Sequence, residues 1–218
     1  EMWASDEEGP GESATRWVQI PGELIRYRWA FNDAGALAGD SLHRFSDIDE
    51  DGVGDLVVGT PGVTAQKVEA GGAVVLGSQA IGEQAALSDE LILHQIVGVE
   101  AHAFLGASVS TTPDFDGDGI AEILLATPEH TVWELKGGLG VAVGSTRFLE
   151  TEEYVFDPEG AIESAVGIAW GGSEGEGFGR SVLGMDLNND DYGDMILAIH
   201  NEDVQQPGSV RVVSGQAL

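Results

Sequence analysis

Three short stretches of the chain carry oxygen-bearing side chains at the same spacing, which suits the binding of a metal ion. They begin at residues 47, 114 and 186 and share the pattern D-x-[DN]-x-D-[GD]-x-[GA]-[DE]. Positions 1, 3, 5 and 9 hold eleven acids and one Asn: Asp47, Asp49, Asp51 and Asp55; Asp114, Asp116, Asp118 and Glu122; Asp186, Asn188, Asp190 and Asp194. Ca²⁺ takes six to eight oxygen ligands, which a tight loop supplies from alternate side chains and one carbonyl.

A solvated acidic turn is the alternative interpretation of any one such stretch. Three copies of the same spacing argue against a solvated turn, because carboxylates held within a few ångströms repel one another unless a cation lies among them. The pattern therefore predicts three calcium-binding loops, here called loop 1 (47–55), loop 2 (114–122) and loop 3 (186–194).

These loops are not EF-hands. An EF-hand needs a Glu at position 12 and a helix on each side, whereas position 12 is Val58, Leu125 or Leu197. Each loop is followed by a short aliphatic run, and the first two runs are stopped by Gly or Pro within a few residues. Such runs are typical of buried strands.

More of the sequence repeats than the loops, which lie 67 and 72 residues apart. Apolar runs stand before each loop and again further along each unit, so a unit is predicted to be a strand, a calcium loop and three more strands joined by loops. Units of four strands arranged radially form a β-propeller. We therefore expect an all-β fold built of propeller blades.

The repeated motifs resemble the FG-GAP repeat family, which forms the blades of integrin α-subunit propellers. Phe178-Gly179 matches the name-giving element, and Phe104-Leu105-Gly106 is a near match. Gly59-Thr60-Pro61 and Ala126-Thr127-Pro128 stand where the family has Gly-Ala-Pro. The third unit departs from the family at His200, where Pro is expected, and at Asp191, where Gly is usual. The first unit lacks the Phe.

The resemblance implies a ligand set and a setting. Side chains at positions 1, 3, 5 and 9 would bind structural Ca²⁺, about three ions in all, together with the position-7 carbonyls of Val53, Ile120 and Tyr192. The relatives are extracellular or cell-surface proteins, so we expect a secreted adhesion or ligand-binding scaffold, with the periplasm as the alternative location. Integrin-type relatives bind ligand on the face opposite the calcium loops, so we expect a protein or glycan ligand on that face. Exposed candidates there are His102, His130, Trp133 and Trp170.

The amino-acid composition excludes several classes of partner and site. The 218 residues include 38 Asp and Glu against 9 Lys and Arg, a formal net charge of −29. So few basic residues exclude nucleic acid and anionic membrane surfaces as partners. Disulfides and Cys-based zinc sites are excluded because the chain has no Cys. No apolar run is long enough to span a bilayer. The acidic first stretch, residues 1–15, is predicted to be a flexible leader before propeller blades at 16–218.

The blade inventory predicts an assembly. It comprises an N-terminal strand at 24–31, blade 1 at about 37–97, blade 2 at about 104–170 and blade 3 at about 178–218. Propellers typically close with four to eight blades. An extra strand at the start and a missing one at the end predict a six-bladed homodimer by strand exchange. A segment of a longer propeller and a single-chain ring with divergent blades are the alternatives.

Signals for catalysis are weak, and we expect no enzymatic activity. Gly171-Gly172-Ser173-Glu174-Gly175 fits G-x-S-x-G but lies in a Gly/Glu-rich stretch without a following helix. The five histidines show no metal-binding spacing. Two alternative functions stay open. One is a carbohydrate-binding propeller or an accessory domain of a polysaccharide-degrading enzyme, and the other is an assembly module that only oligomerises.

Overall fold

A computed structural model describes eleven stretches of the chain: residues 35–47, 51–64, 69–77, 92–128, 131–132, 135–136, 139–143, 153–156, 165–170, 178–200 and 207–216. These residues form strands and turns, with no helix among them. The strands are β1 (Leu42–Arg44), β2 (Leu56–Gly59), β3 (Gly72–Leu76), β4 (Ile92–Gly98), β5 (Ser108–Thr112), β6 (Glu122–Thr127), β7 (Thr131–Val132), β8 (Leu135–Lys136), β9 (Leu139–Val143), β10 (Glu153–Phe156), β11 (Ala165–Trp170), β12 (Phe178–Met185), β13 (Asp194–Ile199) and β14 (Ser209–Ser214).

Three sheets follow one another along the chain. The first has the order β1-β2-β3-β4-β10, the second β11-β9-β6-β5 and the third β12-β13-β14, while β7 and β8 form a small hairpin. Successive strands of each sheet pair antiparallel, apart from β10, which runs parallel to β4. The prediction of an all-β fold of antiparallel repeat units is confirmed.

The aliphatic run in β6 shows why each loop is followed by consecutive apolar residues. Successive side chains of a strand point to opposite faces of its sheet. Ile123 and Leu125 therefore pack against the first sheet, and Leu124 and Ala126 pack against the third. Both faces of β6 are covered, so every residue of the strand is buried. Strands buried on both faces are continuously hydrophobic rather than alternating.

Two clusters of buried side chains hold the sheets face to face. Between the first and second sheets, Val57 and Val75 meet Val109 and Leu125. Between the second and third sheets, Leu124 and Ala126 meet the aromatic ring of Phe178 and its neighbours Val182 and Met195. At roughly 25 cal/mol per Å² of buried apolar surface, these two interfaces are the main source of stability.

Close backbone contact between the first and second sheets explains one repeated glycine. A Cβ atom added at Gly59 would lie 2.1 Å from the carbonyl oxygen of Gly106. Gly106 itself has φ of 82°, which side-chain-bearing residues rarely adopt. Glycine at these positions lets the start of the second sheet lie directly on the first.

The strand β10 was not predicted. It lies between β9 and β11 in sequence, yet it pairs with β4 of the first sheet, with Glu153 opposite Gln95 and Phe156 opposite Gly98. The predicted N-terminal strand at 24–31, the leader at 1–15 and the G-x-S-x-G stretch lie outside the described residues. Within the described residues, no helix is long and apolar enough to cross a membrane.

Candidate metal centre

Loop 2 lies at the turn between β5 and β6, where the two strands end side by side. Thr112, the last residue of β5, pairs with Glu122, the first residue of β6. Each acidic side chain of the loop, Asp114, Asp116, Asp118 and Glu122, offers a carboxylate oxygen, and these four oxygens lie within 4.8 Å of one another. The strand ends thus gather four predicted ligands around one point.

Hydrogen bonds within loop 2 turn these side chains inward. The N–H of Phe115 donates to Glu122 Oε2, and the N–H of Ile120 donates to Asp118 Oδ1 at 2.8 Å. Gly117 and Gly119 have φ of 83° and 89°, which permits the tight turn without a clash at Cβ. Backbone geometry therefore places the carboxylates close together before any ion is considered.

The clustering has a clear electrostatic consequence. Burial raises the pKa of Glu122 to about 8, with the negative charges of Asp116, Asp118 and Asp114 acting in the same direction and the hydrogen bond from Phe115 acting against them. Burial also raises the pKa of Asp116, with the carboxylates of Asp118 and Asp114 acting in the same direction. Both shifts mean that negative charge is costly at this point.

A hard cation fits these residues. Asp114 Oδ1 and Glu122 Oε1 are buried without a hydrogen-bond partner, and such unpaired buried oxygens are costly. A divalent cation among the carboxylates would bind both atoms and offset the repulsion, and an all-oxygen donor set suits Ca²⁺.

Loop 3 has the same backbone path with different side chains. Asn189 and Asp191 have φ of 62° and 71°, at the loop positions where loop 2 has Gly117 and Gly119. Asn and Asp are the residues other than Gly that tolerate this left-handed region best. The departure from glycine noted at Asp191 therefore leaves the turn intact.

The carboxylates of loop 3 are largely engaged by the loop itself. Asp186 accepts hydrogen bonds from the N–H groups of Asn189, Asp190 and Asp191. Asn188 Nδ2 donates to Asp190 Oδ2 at 2.9 Å. Asp194 is buried, and its Oδ2 accepts from the N–H of Leu187, while its Oδ1 has no partner.

Loops 2 and 3 consequently differ in how closely they bring their carboxylates together. Among the residues that the structure describes, the group in loop 2 is the one set of three or more His, Asp or Glu side chains with ligand atoms within 4.8 Å of one another. Loop 3 offers the unpartnered Asp194 Oδ1 but does not bring Asp186, Asp190 and Asp194 equally close. The structure thus supports a cation in loop 2 most strongly.

Loop 1 follows the pattern of loop 3 where it is described. Asp47 accepts from the N–H groups of Asp51 and Gly52 at 2.9 and 2.7 Å, and Asp51 Oδ1 accepts from Val53. Asp55 is buried at the start of β2. The predicted ligand Asp49 lies outside the described residues.

The position-7 residues are placed alike in all three loops. The N–H groups of Val53, Ile120 and Tyr192 each donate to the position-5 carboxylate, at 2.7, 2.8 and 3.0 Å. This shared contact shows that the loops are versions of one turn.

A polar pair lies at the strand ends opposite the calcium loops, and the sequence analysis identified one of its two members. His102, in the connection from β4 to β5, makes a 2.8 Å hydrogen bond through Nδ1 to Glu69 Oε2, in the connection from β2 to β3. His102 is exposed, as predicted, whereas its partner was not anticipated. His130 and Trp133 lie outside the described residues, and Trp170 ends β11.

Sequence reasoning missed the hydroxyl groups that join neighbouring sheets. Ser41 Oγ donates to the carbonyl of Gly106 at 2.8 Å, and Ser108 Oγ accepts from the N–H of Val182 at 3.1 Å. The available signal was a repeated Gly-x-Ser, which ends at Ser41, Ser108 and Ser181 in the three units.

Comparison with protein-family models identifies one unit of the chain. Residues 105–144 match the model of the FG-GAP repeat. The matched segment contains β5, loop 2, β6 and β9, and thus the converging acidic group. The expected resemblance is confirmed for this unit.

Proposed function

We propose that this chain, with its FG-GAP repeat at residues 105–144, is a non-catalytic, calcium-stabilised binding module of the propeller type that works outside the cell. FG-GAP repeats form propeller-like ligand-binding domains and are typically extracellular. The three sheets packed face to face are then successive blades, and the calcium loops lie on one rim.

One observation carries the calcium part of the proposal. Loop 2 gathers four carboxylates within 4.8 Å and leaves Asp114 Oδ1 and Glu122 Oε1 buried without partners. A structure that holds negative charge so closely gains stability from a cation at that point. Bound Ca²⁺ would supply positive charge and coordinate oxygen atoms, with no role in a reaction.

The metal-binding residues of each loop would then hold two strands together. In loop 2, Asp114 follows the end of β5 and Glu122 begins β6, so an ion held by both would tie these strands together. Because an assembled site exists only in the folded chain, binding free energy adds to folding stability. Three ions would change the formal net charge from −29 to −29 + 6 = −23.

Thermal melting with and without calcium tests this proposal. A ligand present at 100 times its Kd stabilises the folded state by about 2.7 kcal/mol. We therefore expect the melting temperature to be higher in millimolar Ca²⁺ than in chelator, and calorimetric titration to detect Ca²⁺ binding. Mg²⁺ at the same concentration is the control, since it demands a small octahedral site.

The variant Asp118→Ala sharpens the test. Asp118 is exposed, and the hydrogen bond that its carboxylate accepts from the N–H of Ile120 lies within loop 2, so the substitution should keep the fold but weaken the site. Identical melting curves in chelator and in Ca²⁺ for the unsubstituted chain would refute the calcium proposal.

The ligand of the module is proposed to bind at the rim opposite the calcium loops. His102 and Glu69 join two connections at that rim, where His102 is exposed and Glu69 is half-buried. Loops held by a rigid scaffold are the usual place for binding residues. A glycan array probed in Ca²⁺, with His102→Ala as the comparison, tests for a carbohydrate ligand. Glycan binding that the substitution abolishes would support this rim, and unchanged glycan binding would exclude His102 from the site.

A further inference from the structure

The first two residues of loop 2 are held by the third sheet, although the loop itself connects two strands of the second. The carbonyl of Asp114 accepts a hydrogen bond from the N–H of Gly193 at 3.1 Å, and the carbonyl of Phe115 accepts one from the N–H of Gln216 at 3.0 Å. Gly193 immediately precedes β13, and Gln216 follows β14. The backbone that carries the first predicted ligand of loop 2 is therefore fixed from the neighbouring sheet.

The side chain of Phe115 adds to this contact. Phe115 is buried, and it belongs to the cluster of Phe178, Val182 and Met195 between the second and third sheets. A buried aromatic ring contributes a large apolar contact. Loop 2 is thus docked on the third sheet through both its backbone and its second side chain.

Two glycines of the third sheet allow loop 2 to come this close. A Cβ atom added at Gly193 would lie 1.8 Å from the carbonyl oxygen of Pro113. One added at Gly215 would lie 2.5 Å from the carbonyl oxygen of Phe115 and 2.3 Å from that of Gly193. Any side chain at either position would push the start of loop 2 away from the third sheet.

Loop 3 has the same turn without this docking. Leu187 is the equivalent of Phe115 and is 55% exposed, whereas Phe115 is 5% exposed. The carboxylate of Asp186 caps its own turn, and the four carboxylates of loop 2 converge. The close approach of the carboxylates therefore occurs in the loop that rests on a neighbouring sheet.

The opposite side of the loop 2 site is fixed by β6. Glu122 is fully buried, and its Oε2 accepts the N–H of Phe115 while its Oε1 has no partner. Asp114 Oδ1 is also buried without a partner. Because both sides of the site are held in place before an ion arrives, binding loses little free energy to the ordering of ligands.

We propose that the third sheet is part of the loop 2 cation site. Gly193 and Gly215 act as positioning residues, which let the third sheet hold Asp114 and Phe115 so that the carboxylates converge. Ca²⁺ at loop 2 and the docking of loop 2 on the third sheet then stabilise each other. This inference rests on the calcium binding proposed above and assigns part of the site to residues that are not ligands.

Gly215→Ala tests the inference, because Gly215 lies outside all three loops. The full chain, labelled with ¹⁵N, is titrated with Ca²⁺ while the amide NMR signals of Gly117 and Gly119 report on loop 2 alone. We expect the substitution to raise the Ca²⁺ Kd of loop 2 by at least about tenfold, since groups that support metal ligands are typically worth 10–100-fold in affinity.

Gly208→Ala is the matched control. It makes the same change at the other end of β14, where an added Cβ would have Ile199 O at 3.1 Å as its one close neighbour, and it should leave the Kd of loop 2 unchanged. Equal Kd values for the parent chain and Gly215→Ala would overturn the inference alone. A parent chain whose loop 2 signals do not respond to Ca²⁺ would refute the proposed function as well.

Hydrogen exchange of the unsubstituted chain provides a measurement that does not depend on whether Gly215→Ala folds. Ca²⁺ should slow exchange of the Gln216 amide, which donates to Phe115, by at least about tenfold more than that of the Gly62 amide near the first sheet. Asp118→Ala, which weakens loop 2 and retains the ligands of loop 3, should remove this extra protection. Protection of Gln216 that is absent in the parent chain, or that persists in Asp118→Ala, would contradict the inference.

Discussion

Loops 2 and 3 follow the same backbone path but arrange their carboxylates differently. Loop 2 uses Gly117 and Gly119 at the two left-handed positions and brings four carboxylates together. Loop 3 uses Asn189 and Asp191 at those positions. Its first carboxylate, Asp186, accepts three backbone N–H groups. Loop 3 therefore holds its shape through its own hydrogen bonds, whereas loop 2 contains uncompensated charge.

The difference shows that one repeat can be tuned for either rigidity or ion dependence without changing its turn. In loop 2, buried Asp114 Oδ1 and Glu122 Oε1 lack partners. In loop 3, the equivalent of Asp114 is hydrogen-bonded, and the unpartnered buried oxygen is Asp194 Oδ1. A cation should therefore matter more to loop 2.

The largest expected effect comes from removing the position-1 carboxylate of each loop. Asp114→Ala should weaken Ca²⁺ binding at loop 2 by at least about 100-fold, since even groups that only support a metal ligand are worth 10–100-fold. In chelator the same variant should melt no lower than the parent chain, because it relieves repulsion.

Asp186→Ala should behave in the opposite way. It removes the acceptor of three backbone N–H groups and should destabilise the chain in chelator by about 1–2 kcal/mol. Urea unfolding and calorimetric titration of both variants provide the measurements. Equal destabilisation by the two substitutions in chelator would show that the loops do not differ in the way described.

The next effect is on pH. The pKa of Glu122 is about 8, against 4.5 for an ordinary Glu, so the folded state retains a proton that the unfolded chain loses between these values. In chelator, the stability that this proton contributes is present below pH 4.5 and is lost as pH rises through 8. Bound Ca²⁺ requires the charged carboxylate, so Ca²⁺ affinity at loop 2 should increase with pH, by up to about tenfold per unit below pH 8.

Glu122→Gln separates this effect from other titrations. The amide retains an oxygen acceptor for the N–H of Phe115 but has no proton to lose. Titrations at several pH values between about 6 and 8 should show weaker binding by the variant and a flatter dependence on pH. A parent chain whose Ca²⁺ affinity is independent of pH in this range would contradict the role given to Glu122.

The smallest effect concerns the left-handed positions. Gly119 has φ of 89° and open space around a Cβ, so Gly119→Ala should cost only backbone strain, about 1 kcal/mol. Asp191→Gly should relieve strain in loop 3 and gain roughly 0.5 kcal/mol after the added entropy of the unfolded chain. Denaturant unfolding in chelator measures both. A stabilising Gly119→Ala would show that its φ is not maintained in solution.

Local patterns made the loops and central strands predictable. Ligand spacing and the aliphatic run behind it lie within a dozen residues, so loop 2 and β6 could be identified without knowledge of the fold. The burial of both faces of β6 also followed from its continuous apolar residues. The family match at residues 105–144 confirms that this unit was correctly recognised.

Contacts between residues far apart in the sequence could not be predicted from it. Nothing in the run at 153–156 indicates that it pairs with β4 rather than with its neighbours β9 and β11. The contact of His102 with Glu69 spans 33 residues and depends on how two connections meet. Whether carboxylates converge or cap their own turn, as Asp114 and Asp186 do, depends on side-chain rotamers that spacing alone does not determine.

The parallel pairing of β10 with β4 changes how the chain should come apart. In many repeat proteins each unit contacts only its neighbours and can fray separately from one end. Here β10 belongs in sequence to the second unit but completes the edge of the first sheet. Opening the second unit would therefore strip an edge strand from the first, so these two units should exchange their amide hydrogens as one cooperative block. Among the described strands, none is shared between the third sheet and these two units, so the third sheet should be able to open by itself.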